Sequence, residues 1–168
     1  MKWSKLKQQI EERFADSVRE RAAIHITRYG PGVSSTMSRG WLTWDGEEIF
    51  NFSTIAWLQA ERAETAHPLD SDTLIPIQDQ LHHRGIFSRF DLTDALARYL
   101  DLSIEAALSS PDPLIRAVAL FDRRVGKRRL VQLAIDETTH PFVKQMYDLR
   151  CIAEQLSGRG TNHTDEHA

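Results

Sequence analysis

Six cationic side chains, Arg116, Arg123, Arg124, Lys127, Arg128 and Arg129, fall within one short stretch of a chain whose formal net charge is −3. Only Asp112 and Asp122 oppose them there, so residues 111–130 sum to +4 while residues 61–110 sum to −5. Like charges at this density repel unless something answers them. Arginine's planar fork suits a carboxylate or a phosphate, and it holds either in defined bidentate geometry. One chemistry the pattern fits is anion binding, to nucleic acid, a nucleotide or another phosphate-bearing ligand. The other is internal: the arginines pair with the upstream acids Asp91, Asp94, Asp101 and Glu105, or lie on a solvated helix face.

The remaining reactive residue types fall short of a site. His82 and His83 are neighbours, so on a helix they point about 100° apart and do not share one metal ion. His163 and His167, beside Asp165 and Glu166, have an i, i+4 ligand spacing, but the polar tail they occupy is expected to be disordered. His25 and Tyr29 share a strand parity with Thr27, next to Arg28, and read more simply as a sheet surface than as a catalytic row. Cys151 is expected on the inward side of a helix as a small core residue. Asp45, Glu47 and Glu48 flank a turn and are most simply solvated. Gly30-Pro31-Gly32 is not followed by Gly-Lys-Ser/Thr at phosphate-loop spacing, and Gly126-Lys127 lacks that frame as well. No catalytic residue, metal site or cofactor is therefore expected.

The elements that must position the basic stretch are legible from pattern. Trp3, Leu6, Ile10 and Phe14 recur at helical spacing, with Ser4 as the expected cap and Asp16-Ser17 as the end or a new start. Ala22–Tyr29 alternates as a strand, with Ile24, Ile26 and Arg28 on one parity. Asp45-Gly46 between Gly40–Trp44 and Glu47–Phe52 predicts a type I′ hairpin in a sheet of about three or four strands, with Trp41 or Trp44 packed on a helix. Ser53–Leu58 either extends the strand or starts the helix that Ala56–Ala66 predicts. A helix follows Ile75-Pro76-Ile77 and stops at Gly85. Beyond it, Asp91 is expected to cap Leu92–Leu100, Ser103 to cap Ile104–Leu108, and Asp112-Pro113 to open a helix whose stripe is Leu114, Ile115, Val118, Phe121 and Val125. Gly126 ends or interrupts that helix. Leu130, Val131, Leu133 and Ala134 are core candidates after it. A last helix spans about Pro141–Leu156 with Phe142, Met146, Leu149, Ile152 and Ala153 inward. The result is an α+β protein: an N-terminal helix, a small antiparallel sheet with a hairpin, then a helical C-terminal half, forming one domain over 1–156 and a tail over 157–168. The run Leu92–Leu108 has a helix-turn-helix rhythm, but its second helix carries no Arg, Lys, Asn or Gln to read base edges, so it reads as ordinary packing.

Composition supports a globular chain: 168 residues, 41% hydrophobic and 27% charged, with no apolar run near the ~18 residues a membrane span needs. The basic start Met1–Lys7 has no apolar stretch behind it, so no signal peptide is expected. A single cysteine allows no internal disulfide, and a reducing, cytoplasmic setting is the simple expectation.

Met1-Lys-Trp-Ser-Lys-Leu-Lys7, Thr27-Arg28-Tyr29, the Gly40–Phe50 hairpin and Asp122-Arg-Arg-Val-Gly-Lys-Arg-Arg-Leu130 together resemble a family of short, uncharacterised bacterial proteins, over most of the chain up to about residue 150. The resemblance implies bacterial origin and assigns no activity, cofactor or catalytic residue. The expectation from the residues is a non-enzymatic binding module with a basic patch for nucleic acid or another anion. One rival is an immunity- or antitoxin-like partner that sets the acidic 61–110 region against a basic protein. Another is a small enzyme using His25, Arg28 and Tyr29. Oligomeric state stays open.

Overall fold

Asp45 and Gly46 both take positive φ (51° and 84°), the requirement of a type I′ turn, and they join β2 (Arg39–Trp44) to β3 (Glu47–Ser53). The Arg21 guanidinium clasps the Asp45 carboxylate and lies over Trp44, fixing the turn to the strand before it. In this computed structural model, which describes residues 2–27, 37–66 and 76–156, the described strands make one antiparallel sheet in the order β1-β2-β3, with β1 at Ala22–Thr27. Ala22 faces Trp44, Ile24 faces Leu42 and Gly40 faces Phe52, so alternation puts all six on one face. That face is the core face. Trp44 packs on Phe121, and Phe50 and Phe52 pack on Phe87 and Phe142. Gly40 is required by contact: a Cβ there would sit 2.8 Å from the Leu92 side chain and 3.3 Å from the His25 carbonyl oxygen.

Helices cover the sheet and fill the rest. They are α1 (Trp3–Glu11), α2 (Asp16–Arg19), α3 (Thr54–Ala66), α4 (Ile77–His83), α5 (Arg89–Leu100), α6 (Ile104–Leu108), α7 (Pro113–Phe121), α8 (Lys127–Gln132) and α9 (Pro141–Ala153). The chain is α+β, with the N-terminal helix, sheet and helical half in the expected order. Helix α7 is the hub. Leu114, Ile115, Ala117, Ala119, Leu120 and Phe121 are all buried, and α5, α6 and α9 pack around it. Its start is the expected one, with the Asp112 carboxylate accepting from Leu114 N–H at 2.9 Å and Pro113 in the first turn. Ser103 caps α6, and α4 closes in a Schellman motif, with Ile86 N–H on the Leu81 carbonyl, Gly85 N–H on the His82 carbonyl, and Gly85 at φ 74°.

Several local assignments differ. Ser4 lies inside α1, whose N-cap is Lys2 without a side-chain bond. Ser88, not Asp91, caps α5. Asp91 stands three residues on and returns its carboxylate to Ser88 N–H, completing a capping box. The helix after β3 begins at Thr54, so only Ser53 of the ambiguous stretch is strand. The Asp112-Pro113 helix ends at Phe121, and Gly126 is the N-cap of α8. That helix is short and buries only Leu130, leaving Val131 and Ala134 exposed. Ile152 is 60% exposed, and the inward position near it belongs to Arg150. Arg28, Tyr29, the Gly30–Ser35 loop, His163, His167 and the tail lie outside the described residues.

Candidate anion-binding face

The loop between α7 and α8, residues 122–126, carries the centre of the basic stretch and is fastened from several directions. Phe14 and Asp122 form an antiparallel bridge. Ala15 N–H donates to the Phe121 carbonyl and Arg123 N–H to the Arg13 carbonyl, each at 2.8 Å. From below, Arg150 of α9, only 2% exposed, donates to the Phe121 carbonyl at 3.3 Å and the Val125 carbonyl at 3.0 Å. Loop carbonyls buried away from water need such donors, and a guanidinium can serve two of them at once.

Arg150 is in turn answered by Glu154, one helical turn on, at 2.9 Å. Glu154 also accepts from the Ser17 hydroxyl at 2.6 Å and pairs with Lys127 at 3.5 Å. Burial works against the Glu154 anion, yet the bonds from Ser17, Arg150 and Lys127 hold its carboxyl below the usual range. On the other side of the loop, the Tyr99 hydroxyl donates to the Asp122 carboxylate, whose side chain is fully buried. Arg124 closes over the same carboxylate, with Nε at 3.0 Å from one oxygen and Nη2 at 2.7 Å from the other, while its backbone N–H donates to Oδ1 at 2.7 Å. Burial alone would raise the Asp122 carboxyl, but Arg124 and Tyr99 keep it below the ordinary value, and burial with the Asp122 charge pushes the Tyr99 hydroxyl well up.

The six cations therefore divide. Arg124 is held by Asp122, Lys127 by Glu154 and Arg129 by Glu105 at 2.9 Å. Of the upstream acids, only Glu105 answers the cluster; Asp91 is engaged by Ser88, Gln78 and His82. Arg116, Arg123 and Arg128 make no ion pair or side-chain hydrogen bond among the described residues, and Arg123 and Arg128 are exposed. Arg116 sits half-buried on α7, where its charge acts on His140. Sequence reasoning missed Arg150, which reads as a surface residue in isolation. Its spacing from Phe142, Val143 and Met146 along one helix face was the available signal.

The other polar clusters are structural in geometry. His25 stacks on Trp41 at 5.0 Å and its Nε2 lies 3.1 Å from the Thr43 hydroxyl, on the sheet face away from the core. Cys151 is half-buried, and burial pushes its thiol up, away from reactivity. Among the described residues no three His, Cys, Asp or Glu side chains converge as metal ligands. No described helix is long and apolar enough to cross a membrane.

His140 ties α9 to α4. Its Nδ1 accepts from Phe142 N–H at 3.1 Å, so Nε2 carries the proton and donates to the His82 carbonyl at 2.7 Å. Burial, reinforced by the charges of His83, His82 and Arg116, lowers its pKa although the bond to His82 opposes this. Folding therefore favours neutral His140. Its contribution is present above the ordinary histidine pKa of about 6.5 and is lost as pH falls through the lowered value. We expect urea midpoints to drop over that range, and the drop to be smaller in His140→Asn, whose side-chain oxygen still caps Phe142. An equal drop in both proteins would remove His140 as the cause.

Fold and site together define a small α+β protein that presents cations from a braced interhelical loop. The chain belongs to the SF0329 protein family, an uncharacterised family whose model matches residues 2–151. That span takes in both the Lys2–Lys7 start and the Asp122–Leu130 run. No curated protein and no solved structure matches the chain.

Proposed function

We propose that this chain is a non-enzymatic binding protein whose Arg123 and Arg128 receive an anionic partner, nucleic acid or another phosphate-bearing ligand. The observation that carries this reading is a contrast within one loop. Its backbone and its Asp122, Arg124 and Lys127 side chains are locked internally, while two guanidinium groups on or just beyond it have no partner among the described residues. A rigid loop spares the backbone ordering cost when an anion arrives, leaving only the two side chains to be immobilised.

Internal pairing sets the expected strength. Three of the six cations are spent on carboxylates, leaving Arg123 and Arg128, with Arg116 further along α7. Two or three phosphate contacts on duplex DNA give a slope of log K against log salt of about −2 to −3, far shallower than a dedicated DNA-binding surface. The test is anisotropy of labelled single- and double-stranded DNA and RNA from about 50 to 200 mM salt. Wild type is expected to bind with that slope, and Arg123→Glu/Arg128→Glu to lose binding while keeping its urea midpoint, because neither side chain holds the fold. Absence of binding at the lowest salt by folded wild type sinks the nucleic-acid form of the proposal. Phosphopeptides and nucleotides tested in the same way decide the rest.

A further inference from the structure

A second surface, chemically opposite to the first, lies where the starts of β2, α3 and α5 meet. Arg89, itself buried, donates from Nε to the Ser38 hydroxyl at 2.7 Å. Its backbone N–H donates to the Thr54 hydroxyl, and Thr54 N–H to the Ser38 carbonyl, each at 3.4 Å. Next in sequence to these three tied residues stand Met37, Ile55 and Phe90, which are 44%, 38% and 42% exposed. They are three of the five large apolar side chains exposed among the described residues. The Arg89 guanidinium lies 3.9 Å from the Phe90 ring centroid, so the aromatic group is held in place while one side stays open. An aromatic side chain held in place on a surface with other exposed apolar residues nearby is the usual form of a binding anchor.

The charge around it says what fits. Asp94, one helical turn beyond Phe90, is exposed and without an ion pair among the described residues, and so is Asp79 of α4, whose neighbour Gln78 reaches Asp91 at 3.2 Å. Glu64, by contrast, is consumed by Arg84. Arg62, about two turns along α3 from Ile55, is exposed and makes no ion pair among the described residues. With Arg89 buried beneath the ring, the exposed charges here are two carboxylates against one cation, which disfavours a second copy of the same face and favours a basic occupant.

We propose that Met37, Ile55 and Phe90, flanked by Asp79 and Asp94, dock a basic segment of a partner protein: lysines or arginines set around apolar side chains that pack on Phe90. The probe is a labelled helical peptide with leucines recurring every three to four residues among lysines, and a control peptide in which serines replace the leucines. Wild type binds the leucine peptide. Phe90→Ser weakens it by about tenfold or more, as removal of a central anchor does. Asp94→Asn weakens it by a smaller factor that shrinks as salt rises. Arg123→Glu/Arg128→Glu does not weaken it. If Phe90→Ser disturbs the fold through Arg89, Ile55→Ser and Met37→Ser carry the same expectation. Equal binding of the serine peptide, or binding indifferent to all three serine variants, overturns the proposal. So does sedimentation showing a dimer that Ile55→Ser dissolves, because the occupant is then a second copy.

Discussion

Replacing Arg150 by alanine will lower the unfolding free energy by about 3–5 kcal/mol, the range seen when one partner of a buried charge pair is removed. The side chain is 2% exposed and has three separate obligations. It satisfies the Phe121 carbonyl, the Val125 carbonyl and the Glu154 carboxylate. Alanine leaves the Val125 carbonyl without its donor, at about 1–3 kcal/mol where water cannot reach it, leaves the Phe121 carbonyl to Ala15 N–H alone, and leaves Glu154 leaning on Ser17 and Lys127. The site is already under tension. Nε has no hydrogen-bond partner among the described residues, and burial lowers the guanidinium pKa despite the nearby Glu154 and Asp122 charges. Arg150→Lys keeps the charge but not the fork. It is expected to recover only part of the loss, because one ammonium on a flexible stem does not reach two carbonyls and a carboxylate in fixed directions. Equilibrium urea unfolding measures both. A loss in Arg150→Ala below about 1 kcal/mol would mean that water replaces the guanidinium and that the loop is not braced from below.

Asp122→Ala comes second, with an expected loss of about 3 kcal/mol. The carboxylate is fully buried and receives the Tyr99 hydroxyl, the Arg124 side chain and the Arg124 backbone N–H. Arg124 is 40% exposed and rehydrates, so the cost falls mainly on Tyr99, whose hydroxyl is left in the core without an acceptor. The pH dependence follows from the direction of the shift. The Asp122 carboxyl lies below its ordinary value of 3.8 in the folded state, so its stabilisation is present above that value and is lost as pH falls through the folded pKa. Asp122→Ala is therefore expected to remove part of the acid limb of the stability profile as well as lowering the plateau. Tyr99→Phe is the control: it keeps the Asp122–Arg124 pair and is expected to cost about 1 kcal/mol. If anisotropy in folded Asp122→Ala shows wild-type binding of an anionic ligand, the loop's rigidity does not matter to Arg123 and Arg128. Weaker binding without loss of either arginine would tie the buried network to the outer face.

Much of the scaffold was legible without coordinates because its signals act within a few residues. Asp45-Gly46 required positive φ at two successive positions, and the chain supplies them in the hairpin. Asp112-Pro113, Ser103 and Gly85 each complete a helix end from a side chain or a conformation one to three residues away. One of the errors was local as well. Ser88 and Asp91 are two halves of one capping box, and sequence pattern put the cap on the wrong half.

The fate of the arginines is a different kind of property. The run 123–129 announces its charge in sequence, but Arg129 meets Glu105 across 24 residues, Lys127 meets Glu154 across 27, and Tyr99 reaches Asp122 across 23. Such pairs depend on how α5, α6, α7 and α9 pack, and no local preference encodes that. The same holds for Arg150, whose burial depends on the loop carbonyls that α9 meets, and for Ile152, which periodicity placed inside and packing left exposed. Composition and pattern by themselves determined an α+β chain with a basic stretch inside an acidic whole. Only the tertiary structure decided which three cations are answered by a carboxylate and which three meet none among the described residues, because a charge is neutralised by what lies beside it in space.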